Sequence, residues 1–273
     1  MLQLAGLEVD AISLGGLRTC IQLPGLDLAF DMGCCPDSAV NRSQVLFTHT
    51  HIDHIGAVGM HCATRALDQR PPAHYTLPPG TEENFRALMD AWGRLDGTPL
   101  SYTAQTVLPD APFSLKKNIT ARAFRTVHRV VSQGYILQRS RSKLRPSWLG
   151  RPGPEIAAAR RAGEDIFEVQ TEDIVAFTGD TRIDALDSNP AVYQARLLIM
   201  EVTFHDADVS VKRSRAMGHI HLDEVIERAD RFENQAILFT HRSMRYGEQQ
   251  VRSILQQRLP PTLLQRVTLL PDQ

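Results

Sequence analysis

Residues 47–56 read FTHTHIDHIG and place three histidines and one aspartate within six positions. The whole chain has only ten histidines among 273 residues, so composition does not account for this density. The clustered side chains are His49, His51, Asp53 and His54. Imidazole and carboxylate are ligands of zinc and, less strongly, of manganese or iron. We therefore predict a metal site here rather than a surface loop that happens to be rich in histidine.

The same segment can serve two metal ions. In a strand, alternate side chains share a face, so His49 and His51 can point the same way. The following residues, IDHIGAVGM, can turn into a helix and direct Asp53 and His54 toward a neighbouring point. Two metals about 3.5–4 Å apart are the arrangement used for in-line displacement. Because four residues cannot complete two coordination shells, further ligands must come from elsewhere.

Strand ends supply the candidates for those further ligands. The apolar runs QVLFTH, DIVAFTGD and AILFTH each end in a histidine or an aspartate. Buried strands place their last residues at one rim of a sheet, where sites tend to form. The candidates are His128, Asp180 and His241, with Asp180 as a bridging carboxylate. Alone, His128 could be a surface residue and Asp180 could cap a turn, but their joint placement favours a shared site.

The rest of the chain reads as strands and amphipathic helices. Residues 80–95 predict a helix with Thr81 as its N-cap and with Phe85, Leu88, Met89 and Trp92 on a buried face. HLDEVIERADRF and EQQVRSILQQRL predict two more helices. Strand-rich halves, each followed by helices, predict two packed sheets with helices outside. We expect one domain over residues 1–273.

Composition narrows the classes of protein. No run of 18 apolar residues is present and the N-terminus does not read as a signal peptide, so we expect no membrane span. None of the four cysteines belongs to a CxxC pair, which favours a reducing cytoplasm. Net charge is −1, yet residues 139–161 hold seven Lys or Arg and one acid. Such a strip is typical of polyanion binding or, equally, of a solvated loop.

These motifs carry a family resemblance. HTHIDH resembles the HxHxDH signature of the metallo-β-lactamase superfamily. The order of the further pieces FDMG, HRVVSQGY, TGDT, LLIMEVT, GHIH and THRSMRY resembles ribonuclease Z, the tRNA 3′-processing endonuclease, in its short plant-type form. The resemblance implies an α/β fold, namely the αββα sandwich of the metallo-β-lactamase type, with two mixed sheets flanked by helices.

The resemblance also assigns roles, starting with two Zn²⁺ ions per chain, with Mn²⁺ or Fe²⁺ as alternatives. It implies that His49, His51 and His128 hold one metal, that Asp53, His54 and His241 hold the other, and that Asp180 bridges them. Asp31 is expected to steady a ligand from behind. The catalytic residues implied are Asp53, His219 and Glu201, with His219 as a general acid that Glu201 orients.

The implied activity is zinc-dependent removal of 3′ trailers from tRNA precursors. Hydroxide attack on a phosphodiester leaves a tRNA with a 3′-hydroxyl and a trailer with a 5′-phosphate. Expected contacts to the RNA come from Lys143, Arg145, Arg151, Ser243 and Arg245. Arg245 could equally pair with a nearby acid. The resemblance further implies a homodimer.

Some features depart from this family. Met200-Glu201-Val202-Thr203 replaces the usual His-Glu-Ala-Thr, and no insertion as long as the family's Gly/Pro-rich arm is evident. The alternative function is therefore a small-molecule phosphodiesterase or another metallohydrolase of the superfamily, and a third is a non-catalytic RNA-binding protein. His61, His74 and His205 lie in no ligand pattern, and we expect His221, near a helix start, to be exposed.

Overall fold

The computed structural model describes residues 1–271 and contains two seven-stranded sheets. The first sheet has the order β1-β2-β3-β4-β5-β6-β7, with strands Leu2–Leu4, Leu7–Leu14, Arg18–Leu23, Leu28–Phe30, Gln44–Leu46, Ala73–Leu77 and Tyr102–Thr106. The second has the order β14-β13-β12-β11-β10-β9-β8, where β8 to β14 are Pro112–Lys116, Ile119–Arg125, Gln133–Leu144, Phe167–Phe177, Leu197–Glu201, Ala236–Thr240 and Val267–Leu269.

Both sheets are mixed. Strands β1 to β4 and β8 to β11 pair antiparallel, whereas β4 to β7 and β11 to β14 pair parallel. The parallel strands are joined through helices, as parallel connections require. The helices α1 to α10 are Ile52–Ile55, Val58–Leu67, Glu82–Asp96, Gly153–Arg161, Asp184–Asp187, Ala191–Gln194, Val211–Met217, Leu222–Ile226, Glu248–Arg258 and Pro261–Leu264.

Three apolar clusters separate four layers. One cluster lies between the sheets and includes Phe30 and Phe177, whose ring centroids are 4.7 Å apart. The other two lie between each sheet and its own helices. Alternation of side chains along the strands accounts for this layering. In β12, Leu197 and Ile199 face the other sheet, whereas Leu198 and Met200 face the helices. The predicted arrangement of two sheets with helices outside is confirmed.

Local predictions are confirmed in part. Helix α3 forms at Glu82–Asp96, but the Thr81 hydroxyl donates to the Pro78 carbonyl instead of capping the helix. Leu88 is exposed, whereas Phe85 and Met89 are buried. HLDEVIERADRF does not form one helix: α8 ends at Ile226 and a separate 3₁₀ turn follows at Ala229–Arg231.

A short arm projects from the second sheet. Strands β10 and β11 pair with each other as far as Leu144 opposite Phe167, beyond the last pairing of β10 with β9 at Arg139. The connection at the tip contains the 3₁₀ turn Pro146–Trp148 and helix α4. The basic strip seen in the sequence is therefore largely an ordered β-ribbon with a helix at its end.

The cysteines form no disulfide within residues 1–271. All four cysteines are free thiols, and they pack on the helix side of the first sheet. Within residues 1–271, no helix combines the length and the apolar character needed to cross a bilayer.

Candidate metal centre and its acid–base pair

The predicted ligands meet at one rim of the sandwich. Strand β5 ends at Leu46, three residues before the end of the predicted run QVLFTH, and α1 begins at Ile52. His49 and His51 therefore lie in a loop, while Asp53 and His54 lie in α1, as the turn into a helix predicted. Asp180 follows β11 and His241 follows β13, so the ends of three strands converge.

Three imidazoles form the first group. His49 Nε2 lies 3.1 Å from His51 Nδ1, and His128 Nε2 lies 3.2 Å from the same His51 atom. The ring of His49 is fully buried, and the side chains of His128 and Asp180 are nearly so. His49 and His51 are neighbours in one loop, whereas His128 comes from a distant segment, and the ligand atoms of all three lie within 4.8 Å of one another.

A second group stands beside the first. Asp53 Oδ2 lies 3.6 Å from His54 Nε2 and 3.5 Å from His241 Nε2. Asp180 Oδ2 lies between the two groups, 3.1 Å from His241 Nε2 and 3.8 Å from His49 Nε2. Asp180 is therefore placed to touch both ions of a two-metal site.

The two groups fit zinc in spacing and in donor type. Ligand nitrogens around a tetrahedral zinc lie roughly 3.3 Å apart, since each is about 2.0–2.1 Å from the ion. Within the described residues, His54 Nε2, His241 Nε2 and Asp180 Oδ1 are buried without a hydrogen bond. Buried polar atoms normally have partners, and a cation held by Asp53, His54 and His241 would supply one.

Two residues behind the first ligands hold the imidazoles in place. Asp31 accepts hydrogen bonds from Thr48 N at 2.7 Å and from Thr48 Oγ1 at 2.8 Å, and its Oδ2 lies 2.8 Å from His54 Nδ1. Thr48 Oγ1 in turn lies 3.0 Å from His49 Nδ1. Both rings thus use Nδ1 for the protein and turn Nε2 to the centre, as metal-binding histidines commonly do.

The rings of His128 and His241 are oriented in the same manner, whereas His51 turns Nδ1 to the centre. His128 Nδ1 donates to the Gly218 carbonyl at 2.9 Å, and His241 Nδ1 lies 3.0 Å from Thr203 Oγ1. Sequence reasoning missed Thr48 and Thr203. Thr48 immediately precedes His49, and Thr203 lies two residues after Glu201. Each threonine also stands at the end of an apolar run, and this position was the signal that could have found it.

Gly179 allows Asp180 to enter the site. Its φ is +56°, and a Cβ built on it would lie 2.5 Å from the Thr48 Cβ. Two strand ends therefore approach each other at a point where only glycine fits. A larger residue here would push Asp180 away from the histidines.

An acid–base pair lies against the metal ligands. His219 Nδ1 is 2.9 Å from Glu201 Oε1, and the His219 ring stacks on His241 with centroids 5.3 Å apart. Glu201 is buried and accepts further bonds from Thr181 N and Thr203 Oγ1. The His219 side chain remains 16% exposed, so its outer nitrogen can reach a substrate.

Electrostatics favour the metal-binding form at Asp180 and His49 and oppose it at His54, where the carboxylates of Asp180 and Asp31 outweigh burial and raise the pKa of the ring well above its ordinary value. Burial opposes ionisation of Asp180, but His241 and His54 hold the pKa of its carboxyl well below the ordinary value. Burial, together with the nearby His54, lowers the pKa of His49 well below its usual range. The carboxylate is therefore ionised and the His49 imidazole neutral, which are the forms that ligate metals.

The predicted RNA contacts occupy two regions. Lys143, Arg145 and Arg151 belong to the arm, where Arg145 pairs with Asp165 and Arg151 stacks 4.3 Å from the Trp148 ring. Ser243 and Arg245 lie beside His241. Among residues 1–271, no carboxylate oxygen lies within 4.0 Å of the Arg245 guanidinium, so the alternative of an ion pair is not realised.

The remaining histidines stay outside the site. His61 is buried, with Nδ1 2.9 Å from the Tyr75 hydroxyl. His74 contacts Thr103, and His205 packs on Tyr246. The expectation that His221 is exposed is wrong: it is buried, and its side chain caps the N-terminus of α8 by accepting from Asp223 N.

Comparison with known proteins decides the family. The chain is 35% identical over 268 residues to tRNase Z TRZ1 of Arabidopsis thaliana, covering 97% of this chain and 95% of that protein. The chain belongs to the ribonuclease Z family. The chloroplastic tRNase Z TRZ2 of the same plant is 31% identical over 92% of this chain and 71% of its own length. No protein-family model matches the sequence of this chain.

Solved structures support the fold of this ribonuclease Z. The short form of human tRNase Z superposes with a TM-score of 0.62 at 18% identity, covering 97% of this chain and 96% of that one. The metallo-β-lactamase fold protein YhfI of Bacillus subtilis gives 0.65 at 17% identity and 97% coverage of both chains. The predicted αββα metallo-β-lactamase-type sandwich and the predicted family are confirmed, and with them the assignment to the metal-dependent hydrolases.

Proposed function

We propose that this chain is a zinc-dependent endoribonuclease that removes 3′ trailers from tRNA precursors, leaving a 3′-hydroxyl on the tRNA and a 5′-phosphate on the trailer. Membership of the ribonuclease Z family supports the reaction. The observation that carries it is the contact between the two ligand groups and the His219–Glu201 pair. A binding protein without catalysis has no use for an acid–base pair beside a metal centre.

The metal centre takes two zinc ions in this proposal. When bound, the ions act as Lewis acids toward the phosphate and bring the pKa of a shared water toward neutrality. His49, His51 and His128 hold one ion, and Asp53, His54 and His241 hold the other. Asp180 would contact both, since its Oδ2 lies 3.8 Å from His49 Nε2 in the first group and 3.1 Å from His241 Nε2 in the second.

Asp53 has a second task in this proposal. Its Oδ2 accepts a hydrogen bond from Gly16 N at 2.9 Å, which holds the carboxylate at the open side of the centre. From there Asp53 can align the attacking water in line with phosphorus and accept its proton at the carboxylate. Gly15 and Gly16 follow strand β2, so this hydrogen bond links the end of β2 to the metal centre.

His219 acts as the general acid. Glu201 fixes the ring through Nδ1, which leaves Nε2 as the atom that gives a proton to the departing 3′-oxygen. Protonated His219 also offsets the negative charge that grows on the phosphate. Thr203 keeps Glu201 in place through a 2.6 Å hydrogen bond to its Oε2.

Substrate binding rests on cations in two places. Arg245, which is exposed and follows His241 by four residues, would contact a phosphate next to the cleaved bond. Lys143, Arg145 and Arg151 on the arm meet the RNA further away. Phosphate contacts of this kind release counterions, so RNA affinity should fall steeply with salt.

Assembly, compartment and domain structure complete the proposal. We expect a homodimer from the family resemblance, to be checked by light scattering, and a cytoplasmic protein, to be checked by cell fractionation. Four free thiols are consistent with a reducing compartment. Residues 1–273 form one domain in this proposal, because the core between the sheets joins Leu4 to Leu270; a single cooperative unfolding transition is expected.

The decisive experiment compares two substrates. A 3′-extended tRNA precursor and bis(p-nitrophenyl) phosphate are offered to the zinc-loaded protein, and the ends of the RNA products are determined. We expect cleavage after the tRNA body with a 3′-hydroxyl on the tRNA. Turnover of the small ester alone would favour a small-molecule phosphodiesterase and overturn the RNA assignment.

A further inference from the structure

A cavity beside the metal centre has no role in the chemistry proposed so far. It measures about 420 Å³ and lies where the end of strand β2 faces the loop that follows His241. Its wall includes Leu14, Arg18, Arg242 and Met244, and we call it the side cavity. Sites for small organic groups typically have volumes of about 300–1,000 Å³, so the side cavity is large enough to hold a ligand.

Two glycines join the side cavity to the metal centre. Leu14 lies on the cavity wall, and the next residue, Gly15, approaches His241 so closely that an added Cβ would lie 3.2 Å from its Cε1. Gly16 N donates to Asp53 Oδ2 at 2.9 Å. Leu14 and Gly16 are two Cα steps apart, which is at most about 7.6 Å. A nucleotide next to a phosphate at the metal centre can therefore reach the cavity.

The surface between the metal centre and the side cavity is open to solvent. Gly16 and Leu17, which connect β2 to β3, are exposed, and so is Gly247 on the cavity wall. Met244 is 60% exposed, although it also lines the cavity. A strand of RNA bound at the metal centre therefore has to cross only this exposed turn to enter the side cavity.

The wall of the side cavity combines cationic and apolar groups. Arg18 and Arg242 contribute guanidinium groups, and no carboxylate is among the described residues of the wall. Both arginines have other interactions in the protein, so the apolar side chains carry the argument for a ligand. Leu14 and Met244 supply this apolar surface. A methionine thioether adapts its shape to its partner, which suits the flat face of any nucleic-acid base.

The reaction geometry selects the nucleotide that can occupy the side cavity. In an in-line displacement, the attacking and departing oxygens lie on opposite sides of phosphorus. In the proposed mechanism the departing 3′-oxygen belongs to the tRNA and lies toward His219, which is not on the cavity wall. Gly16, which leads to the cavity, instead holds Asp53, the residue that aligns the water. The trailer keeps the phosphate, so its first nucleotide can turn toward the cavity.

We propose that the side cavity binds the base of the first trailer nucleotide, with Met244 as its main apolar contact. This inference rests on the proposed function. Ser243 and Arg245 flank Met244 in the sequence but are not on the cavity wall. Their expected contacts to the RNA are therefore separate from this one. The cavity adds affinity for the trailer side of the cleaved bond and holds that side in place during the displacement.

Met244→Ala tests the contact. KM for a 3′-extended tRNA precursor should rise on the order of fivefold with kcat unchanged, because apolar surface that covers the base is removed. Met244→Leu retains the apolar volume and should keep the original KM. Both variants should hold as much zinc as the original protein, because Met244 is largely exposed.

Two modified substrates identify the nucleotide. On a precursor whose first trailer nucleotide lacks its base, Met244→Ala and the original protein should have equal KM. On a precursor whose last tRNA nucleotide lacks its base, the fivefold difference should persist. Equal KM on the intact precursor, an equal loss in Met244→Leu, or the opposite pattern on the two modified precursors would each overturn the inference. If the original protein does not cut the intact precursor at all, the proposed function itself fails.

Discussion

Glu201 Oε1 lies 2.9 Å from Nδ1 of His219, and the two side chains are 1% and 16% exposed. Burial lowers the pKa of His219, yet the charge and the hydrogen bond of Glu201 outweigh it and raise this pKa to about 9. A buried carboxylate thus favours the protonated imidazole at neutral pH, while the His219 side chain stays partly exposed. His54 has a raised pKa as well, because Asp180 and Asp31 outweigh its burial, so the proposed role of His219 as general acid rests on its partial exposure beside the ligands and not on its pKa alone.

Replacement of Glu201 by glutamine should change the pH profile. Without the negative charge, burial dominates and the pKa of His219 falls. Since the general acid acts in its protonated form, activity on the precursor should be lost at a lower pH on the basic side than in the original protein. The measurement is kcat against pH. An unchanged basic limb would mean that His219 does not supply the proton.

Replacement of His219 by alanine should remove catalysis and leave the metals. Loss of a general acid reduces kcat by about 10²–10⁴-fold. Zinc content, measured by elemental analysis of the purified protein, should stay near two ions per chain by the ligand count. A variant that loses zinc would identify His219 as a ligand instead.

Asp31→Asn should weaken the hold on the metal. Asp31 Oδ2 accepts from His54 Nδ1 at 2.8 Å, and amide substitution removes the charge that orients this ring. Losses of about 10–100-fold in zinc affinity are typical for such partners, and competition with a chelator measures them. Asp37→Asn, at an exposed position outside the site, is the matched control and should retain the original affinity.

Gly179→Ala should disturb the site more than its backbone strain predicts. A left-handed alanine costs roughly 1–2 kcal/mol wherever it occurs, and here the added Cβ also meets Thr48 at 2.5 Å. Gly80→Ala has a φ of +79° but nothing within 4 Å. Thermal unfolding should shift in both variants, whereas zinc binding should fall only in Gly179→Ala. Equal zinc affinity in the two would show that Asp180 does not depend on this close approach.

His61 should make the fold sensitive to acid. Burial, reinforced by the charge of Arg65, lowers its pKa to about 4. The unfolded chain takes up a proton near pH 6.5, so stability is full above that pH and declines as the pH falls toward about 4. The difference in unfolding free energy reaches about 3 kcal/mol. His61→Gln should show a flatter decline in urea unfolding over this window; an equal decline would assign the effect to other groups.

Local sequence patterns predicted much of the fold and of the candidate site. The apolar runs ending at Asp180 and His241 indicated buried strands with functional ends. Helix α3 followed from its spacing, but exposure of Leu88 did not, because the width of a buried face depends on what packs against it. His221 was misread for the same reason, since burial at a helix start is set by neighbouring segments.

The sequence by itself determined which side chains carry the chemistry, because ligand type and strand-end position are local properties of the chain. Tertiary structure alone decided how they are held: Thr48 reaches both Asp31 and His49, and Thr203 joins Glu201 to His241. Contacts between distant segments depend on packing, and the local periodicity of the sequence carries no information about them.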